Sequence, residues 1–190
     1  MHLFIFEYFL LFPGGGWQNL TANHCNYWHP KSNYNLITCI NYWIKSGAPH
    51  EKIMIGVATH GRNYVLDDPE NNGIEALATF KDFGQPGGVP TTYSYHIICK
   101  NILENGWTRQ YVKNGSTGPY VFKGTVWTGY DDLESIKQKS NLVKKANFGG
   151  MMFWSLDHDD YANVCGGGKF PLIRSVWNDI MYTDHERKNC

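Results

Sequence analysis

The segment Gly149–Tyr161, GGMMFWSLDHDDY, constrains the fold of this chain more than any other. Its apolar run is too short for an amphipathic helix, and it carries apolar side chains at successive positions. A strand that is apolar on both faces belongs inside a parallel sheet, with its polar chemistry at the C-terminal end. In a β/α barrel that end is the mouth where active sites are built. Trp154 at the last apolar position, followed by Asp157, Asp159 and Asp160, reads as a floor for a sugar ring with acceptors around it. It reads equally well as a core tryptophan before a solvated acidic turn.

The flanking segments extend the alternation of helix and strand. The spacing of Leu36, Ile40, Trp43 and Ile44 predicts a helix over Asn35–Ser46, ended by Gly47 and Pro49. Ile53–Ala58, IMIGVA, then reads as a buried parallel strand, and a helix feeding such a strand is half of a βαβ unit. Further on, Asp131 is placed to cap a helix with Glu134 at capping-box spacing, and Leu133, Ile136, Ser140 and Val143 form its inward stripe. A last helix starts at Pro171 and places Leu172, Ile173, Val176, Trp177, Ile180 and Met181 at 3.6-residue spacing. Between these parts, Tyr64 to Tyr120 is broken by Asp-Pro, Asn-Gly and Pro-Gly-Gly turns, with helical character over Tyr93–Leu103. The expected architecture is α/β: an incomplete (β/α)8 TIM barrel, strands about 6–8 with their helices, carrying an inserted α+β subdomain. Residues 1–63 and 123–183 are assigned to the partial barrel, 64–122 to the insertion and 184–190 to a polar tail.

Length and composition narrow the functional classes. The chain has 190 residues, whereas a complete β/α barrel takes about 250. Lys plus Arg and Asp plus Glu are 17 each, so no basic face points to nucleic acid. Five cysteines, Cys25, Cys39, Cys99, Cys165 and Cys190, contain no CxxC and no metal spacing, and His60, His96 and His158 lack zinc-ligand spacing. Neither a metal nor a cofactor is expected, and the histidines read as structural. Gly166-Gly167-Gly168-Lys169 is not a phosphate loop, because Phe170 stands where Ser or Thr is needed. The apolar run Leu3–Phe12 is interrupted by Glu7, lacks a basic flank and is too short to span a bilayer, so neither a signal peptide nor a membrane segment is expected. Asn19 and Asn114 begin glycosylation sequons.

Four stretches together carry a family resemblance: Asn41–Val65, Thr125–Glu134 (TVWTGYDDLE), Gly149–Tyr161 and Gly168–Ile173 (GKFPLI). In that order, and with Gly16–Thr21 (GWQNLT) before them, they resemble glycoside hydrolase family 18, the chitinases and chitinase-like lectins. The likeness implies that Ile53–Ala58 and Met151–Leu156 are the seventh and eighth barrel strands. It implies that Trp154 is the floor of the subsite for the reacting N-acetylglucosamine, with Met152 beside it. Arg62 would bond sugar hydroxyls or the acetamido group, and Trp17 would line the reducing-end side. His60 stands where the family usually has a tyrosine before Gly-Arg. Tyr130 and Asp131 are candidates for sugar contact and equally for helix capping, and Arg62 has a surface pair with Asp67 as its alternative. Cys99 and Cys165 match a family disulfide between the insertion and the loop after strand eight.

The resemblance stops short of the chemistry. The family's Asp-x-x-Asp-x-Asp-x-Glu, whose Glu protonates the glycosidic oxygen, does not occur in the 190 residues, so no catalytic residue is assigned. The strand-six Met-x-Tyr-Asp would fall within Phe9–Phe12, which reads Phe-Leu-Leu-Phe. The expectation is therefore the closing part of a chitinase-type domain, starting after the acidic motif and inactive alone. Its expected partner is chitin or a chitooligosaccharide, its state a monomer and its setting extracellular. Two alternatives stand beside this: a non-catalytic glycan-binding protein, and a truncated product with no function of its own.

Overall fold

The structure, a computed structural model, describes residues 3–5, 19–23, 26–28, 35–79, 88–112 and 118–181. In chain order its elements are β1 (Leu3–Ile5), α1 (Leu36–Lys45), β2 (Ile53–Ala58), β3 (His60–Leu66), β4 (Ala78–Thr79), β5 (Thr92–Ser94) and α2 (Tyr95–Glu104). β6 (Thr108–Gln110), β7 (Tyr120–Lys123), β8 (Val126–Gly129), α3 (Leu133–Ala146), β9 (Gly150–Trp154) and α4 (Pro171–Met181) follow. The expected strand-six residues Phe9–Phe12 lie outside the described residues, as do Trp17, Cys25, Asn114 and Cys190.

Two sheets organise the chain. The first is parallel, in the order β1-β2-β9, and is the arc of barrel wall that the helix–strand alternation predicts. On β2 the residues Ile53, Ile55 and Val57 share a face and are fully buried, because helices cover that side. Ile53 and Ile55 pack with Leu36 and Ile40 of α1 and Val143 of α3. Val57 packs with Ile98 of α2, Ile136 of α3 and Leu172 of α4.

The second sheet is antiparallel in the order β4-β3-β8-β7-β6, with β5 also on β3. It reaches from His60 to Gly129 and so extends past the expected bounds 64–122 at each end. The ladder between Arg62–Val65 and Val126–Gly129 supplies the reason, since a central strand such as β3 requires hydrogen-bonded neighbours along its length. Helix α2 packs closely on this sheet at Gly61, where an added Cβ would meet Ile98 Cδ1 at 2.8 Å and Thr128 Cγ2 at 2.5 Å. Only glycine fits there. A disulfide between Cys99 on α2 and Cys165 in the loop after β9 ties the two units, with a Cα–Cα distance of 5.3 Å.

Two local expectations are corrected. The N-cap of α3 is Asp132, not Asp131: Asp132 Oδ1 accepts from the backbone N–H of Glu134 and Ser135, and Ser135 Oγ accepts from Asp132 N–H. Asp131 is turned inward instead, to Lys139, so Lys139 is buried while Leu133 is 45 % exposed. Strand β9 is also less buried than its sequence predicts. Met151, Met152 and Phe153 are only half-buried, because β2 pairs one edge and no described strand pairs the other.

Candidate glycan-binding face

Register decides which side of β9 can meet a ligand. In a parallel pair, facing residues share a side, and here Met152 faces Gly56 while Trp154 faces Ala58. Met151 and Phe153 point the other way, into the helix-covered core with Val57 and Leu172. Met152 and Trp154 therefore lie on the side away from those helices, level with the small residues Gly56 and Ala58, which are themselves buried. Trp154, expected at a buried position, is 57 % exposed at the C-terminal end of its strand.

The backbone at Trp154 is fixed by the β2–β3 junction. Thr59 N–H donates to the Trp154 carbonyl at 3.1 Å, and the Thr59 hydroxyl donates to the Ser155 carbonyl. His60, also buried, donates to the Trp154 carbonyl as well. Its ring lies 5.2 Å from that of His158, at 73° between planes. Burial, then the neighbouring His158, lowers the His60 pKa from 6.5 to about 4. Arg62 follows two residues along β3 on the same face, half-buried. Sequence reading missed Thr59, Ser155 and His158 as supports for this face. His158 carried no local spacing signal, because its partner lies on a distant strand.

The carboxylates after β9 do not surround the tryptophan as acceptors. Asp159 and Asp160 are fully buried. Asp160 accepts from Val164 N–H at 2.9 Å and Cys165 N–H at 2.7 Å. Asp159 accepts from Asp160 N–H and from Ile173 N–H in the first turn of α4, where the helix dipole favours an anion. Burial nevertheless raises the Asp159 carboxyl above the usual carboxylate range. Asp157 alone of the three is exposed, and the hydrogen bond donated by Ser155 holds its carboxyl below that range.

Tyr130 and Asp131 are also placed otherwise than as open sugar contacts. Asp131 is sealed in, with Oδ2 at 2.7 Å from Lys139 Nζ and Oδ1 accepting from Ser135 Oγ at 2.7 Å. Tyr130 is 2 % exposed, and burial raises its phenol pKa. It borders a cavity of about 180 Å³ beside the disulfide, together with Tyr95, Arg109 and Asp132. None of Trp154, Met152, Arg62 or His60 lines that cavity. Asn19 is exposed, as a glycosylation acceptor must be. Among the described residues no three His, Cys, Asp or Glu side chains converge to hold a metal, and no helix is long and apolar enough to cross a membrane.

The family model for glycosyl hydrolases family 18 matches residues 3–159. The chain is 33 % identical to probable chitinase 10 of Drosophila melanogaster over 86 % of its own length and 7 % of that protein. It is 34 % identical to an endochitinase of Brugia malayi over 77 % of this chain and 29 % of that one. Among solved structures, catalytic domain 2 of the group II chitinase of Ostrinia furnacalis superposes with a TM-score of 0.81 at 28 % identity, covering 90 % of this chain and 46 % of that chain. Human YKL-39, described as a pseudo-chitinase with retained chitooligosaccharide binding, superposes with a TM-score of 0.78 at 28 % identity, over 95 % and 50 %. The chain thus spans about half or less of these relatives' lengths.

Proposed function

The chain belongs to glycosyl hydrolase family 18, with the fold of part of its TIM-barrel domain, and on that premise we propose that it binds chitooligosaccharides without cleaving them by itself. The observation that carries the binding reading is Trp154, exposed on the face away from the described helices at the C-terminal end of a barrel strand. A flat indole offers apolar area to the C–H face of a pyranose. Met152 widens that floor, while Arg62 stands at the adjoining end of β3, within reach of acetamido or hydroxyl groups, and His60, buried beneath, supports the Trp154 backbone instead of meeting the sugar. Trp17 belongs to the same reading through the family likeness. Tyr130 and Asp131 act from within, holding the start of α3. The neighbours support a carbohydrate ligand, since YKL-39 is described as retaining chitooligosaccharide binding.

The carboxylates that follow β8 and β9 support binding without cleavage. A general acid for glycoside hydrolysis needs a raised pKa and access to the leaving oxygen. Asp157 has access, but its carboxyl is held low; Asp159 is raised but wholly buried. Asp131, Asp132 and Asp160 are occupied by Lys139, the α3 cap and loop amides. The family's acidic motif is absent from the 190 residues. The disulfide-bonded pair fits an oxidising, extracellular setting, and a monomer suits a one-sided platform.

Covering about 60–100 Å² of the indole at about 25 cal/mol/Å² is worth about 1.5–2.5 kcal/mol. Titration of chitopentaose by calorimetry is expected to show Trp154→Ala binding about 10- to 70-fold more weakly than the parent. Equal affinity in the two proteins would remove Trp154 as the platform. Release of fluorophore from a chitooligosaccharide conjugate by purified residues 1–190 would refute the absence of cleavage.

A further inference from the structure

Trp154 is joined to a histidine pair by its own main chain. His60 opens β3 and donates to the Trp154 carbonyl. His158 ends the short turn Leu156–His158 that follows the tryptophan, and its ring meets His60 edge to face at 5.2 Å. The His158 Nδ1 lies 3.3 Å from Ser155 Oγ, the hydroxyl that also donates to Asp157. The two rings therefore clamp the link at Trp154 and Ser155 from both sides: His60 holds its carbonyl, and His158 its serine.

We propose that His60 and His158 are a positioning pair that makes glycan binding on the Trp154 face sensitive to acid. The pair touches the platform's backbone rather than the sugar, and the inference rests on Trp154 being the platform. With both rings neutral, the edge-to-face contact is compatible with burial of His60. A proton on His60 would create a buried cation facing His158 on the turn and Arg62 on its own strand, with Asp157 the only anion among the groups that act on it. Burial, His158 and Arg62 disfavour that charge and outweigh the Trp154 carbonyl and the exposed Asp157 carboxylate, which favour it. Burial and His158 hold His60 neutral until about pH 4, so the clamp survives mild acid and fails below it. Opening it withdraws one hydrogen bond from the Trp154 carbonyl and separates the two rings, so the indole loses its fixed orientation. Fixed orientation is what a stacking platform contributes to affinity, because a loose one must be ordered on binding.

The test follows chitopentaose affinity from pH 7.5 to 3.5 in the parent, His60→Phe and His158→Gln, together with the Trp154 indole N–H resonance of the ligand-free proteins, assigned through Trp154→Phe. The parent is expected to lose up to about fourfold in affinity between pH 6 and pH 3.5, the most that one proton on His60 can cost over that range, while both variants give flatter profiles. The parent's indole resonance should move with the same midpoint and stay still in the variants. Parallel pH profiles in parent and variants would overturn the inference while leaving the platform intact. Absence of binding at every pH would overturn the platform instead, and the indole titration would still decide the pair: a pH-independent resonance rejects it, and a shift abolished by either variant sustains it. His158→Gln changes the less buried partner, so it keeps the test available if His60→Phe does not fold.

Discussion

The buried pair Asp131–Lys139 gives the sharpest forecast for stability. Both side chains are 1 % exposed and their charged atoms lie 2.7 Å apart, so neither is screened by water. Lys139→Met keeps the helical stem and removes the ammonium. Asp131 is then left in the interior without its counter-ion, keeping among the described residues the hydrogen bond from the Ser135 hydroxyl at 2.7 Å. Breaking one half of such a pair costs about 3–5 kcal/mol, whereas replacing both halves with apolar groups is often close to neutral. Against a typical total of about 5–15 kcal/mol, the single change removes about a fifth or more of the stability. Urea unfolding followed by circular dichroism at pH 7 is expected to show a midpoint lower by about 1–2.5 M, for slopes of about 2–3 kcal/mol/M. The double variant Asp131→Leu with Lys139→Met should recover at least about 2 kcal/mol relative to the sum of the singles. A Lys139→Met cost below about 1 kcal/mol, or strict additivity in the cycle, would refute the assignment of this pair as a sealed ionic contact.

Two further outcomes concern the same core. Cys99→Ser opens a loop of 66 residues, which the chain-entropy relation values at about 4 kcal/mol, so a fall in urea midpoint that dithiothreitol reproduces in the parent is expected; no effect from either treatment would argue against the bond. His60 gives stability a pH slope: its folded pKa of about 4 lies below the unfolded 6.5, so the unfolded chain binds more protons between those values. That contribution is complete above pH 6.5 and is lost as pH falls to 4, about 3 kcal/mol in all. Buried Asp159, whose pKa is raised, tilts the other way, so the quantity to measure is the difference between parent and His60→Phe melts at pH 7 and pH 4. A constant difference across that range would exclude a buried neutral His60.

Much of the barrel arc is legible in local pattern. β2 occupies Ile53–Ala58, as its apolar run predicts, and α1 begins after Asn35, whose side chain accepts from Thr38 N–H at 3.0 Å. α4 starts at Pro171, where a missing N–H costs a helix nothing. The disulfide Cys99–Cys165, implied by the family likeness, is formed. The site is less legible. Asp159 and Asp160 look like acceptors for a ligand until the loop folds back and gives them backbone amides. Asp131 and Asp132 are adjacent and chemically alike, and only the position of Lys139 two turns along α3 decides which turns inward and which caps the helix.

Sequence alone therefore determined the periodic elements, the family and the lack of its acidic motif, because each is written in neighbouring residues. The direction in which Trp154 faces, the pairing of His60 with His158 and the burial of the acidic residues were decided only by tertiary structure. Each depends on strand register and on contacts between residues far apart in the chain, and local periodicity contains no term for either.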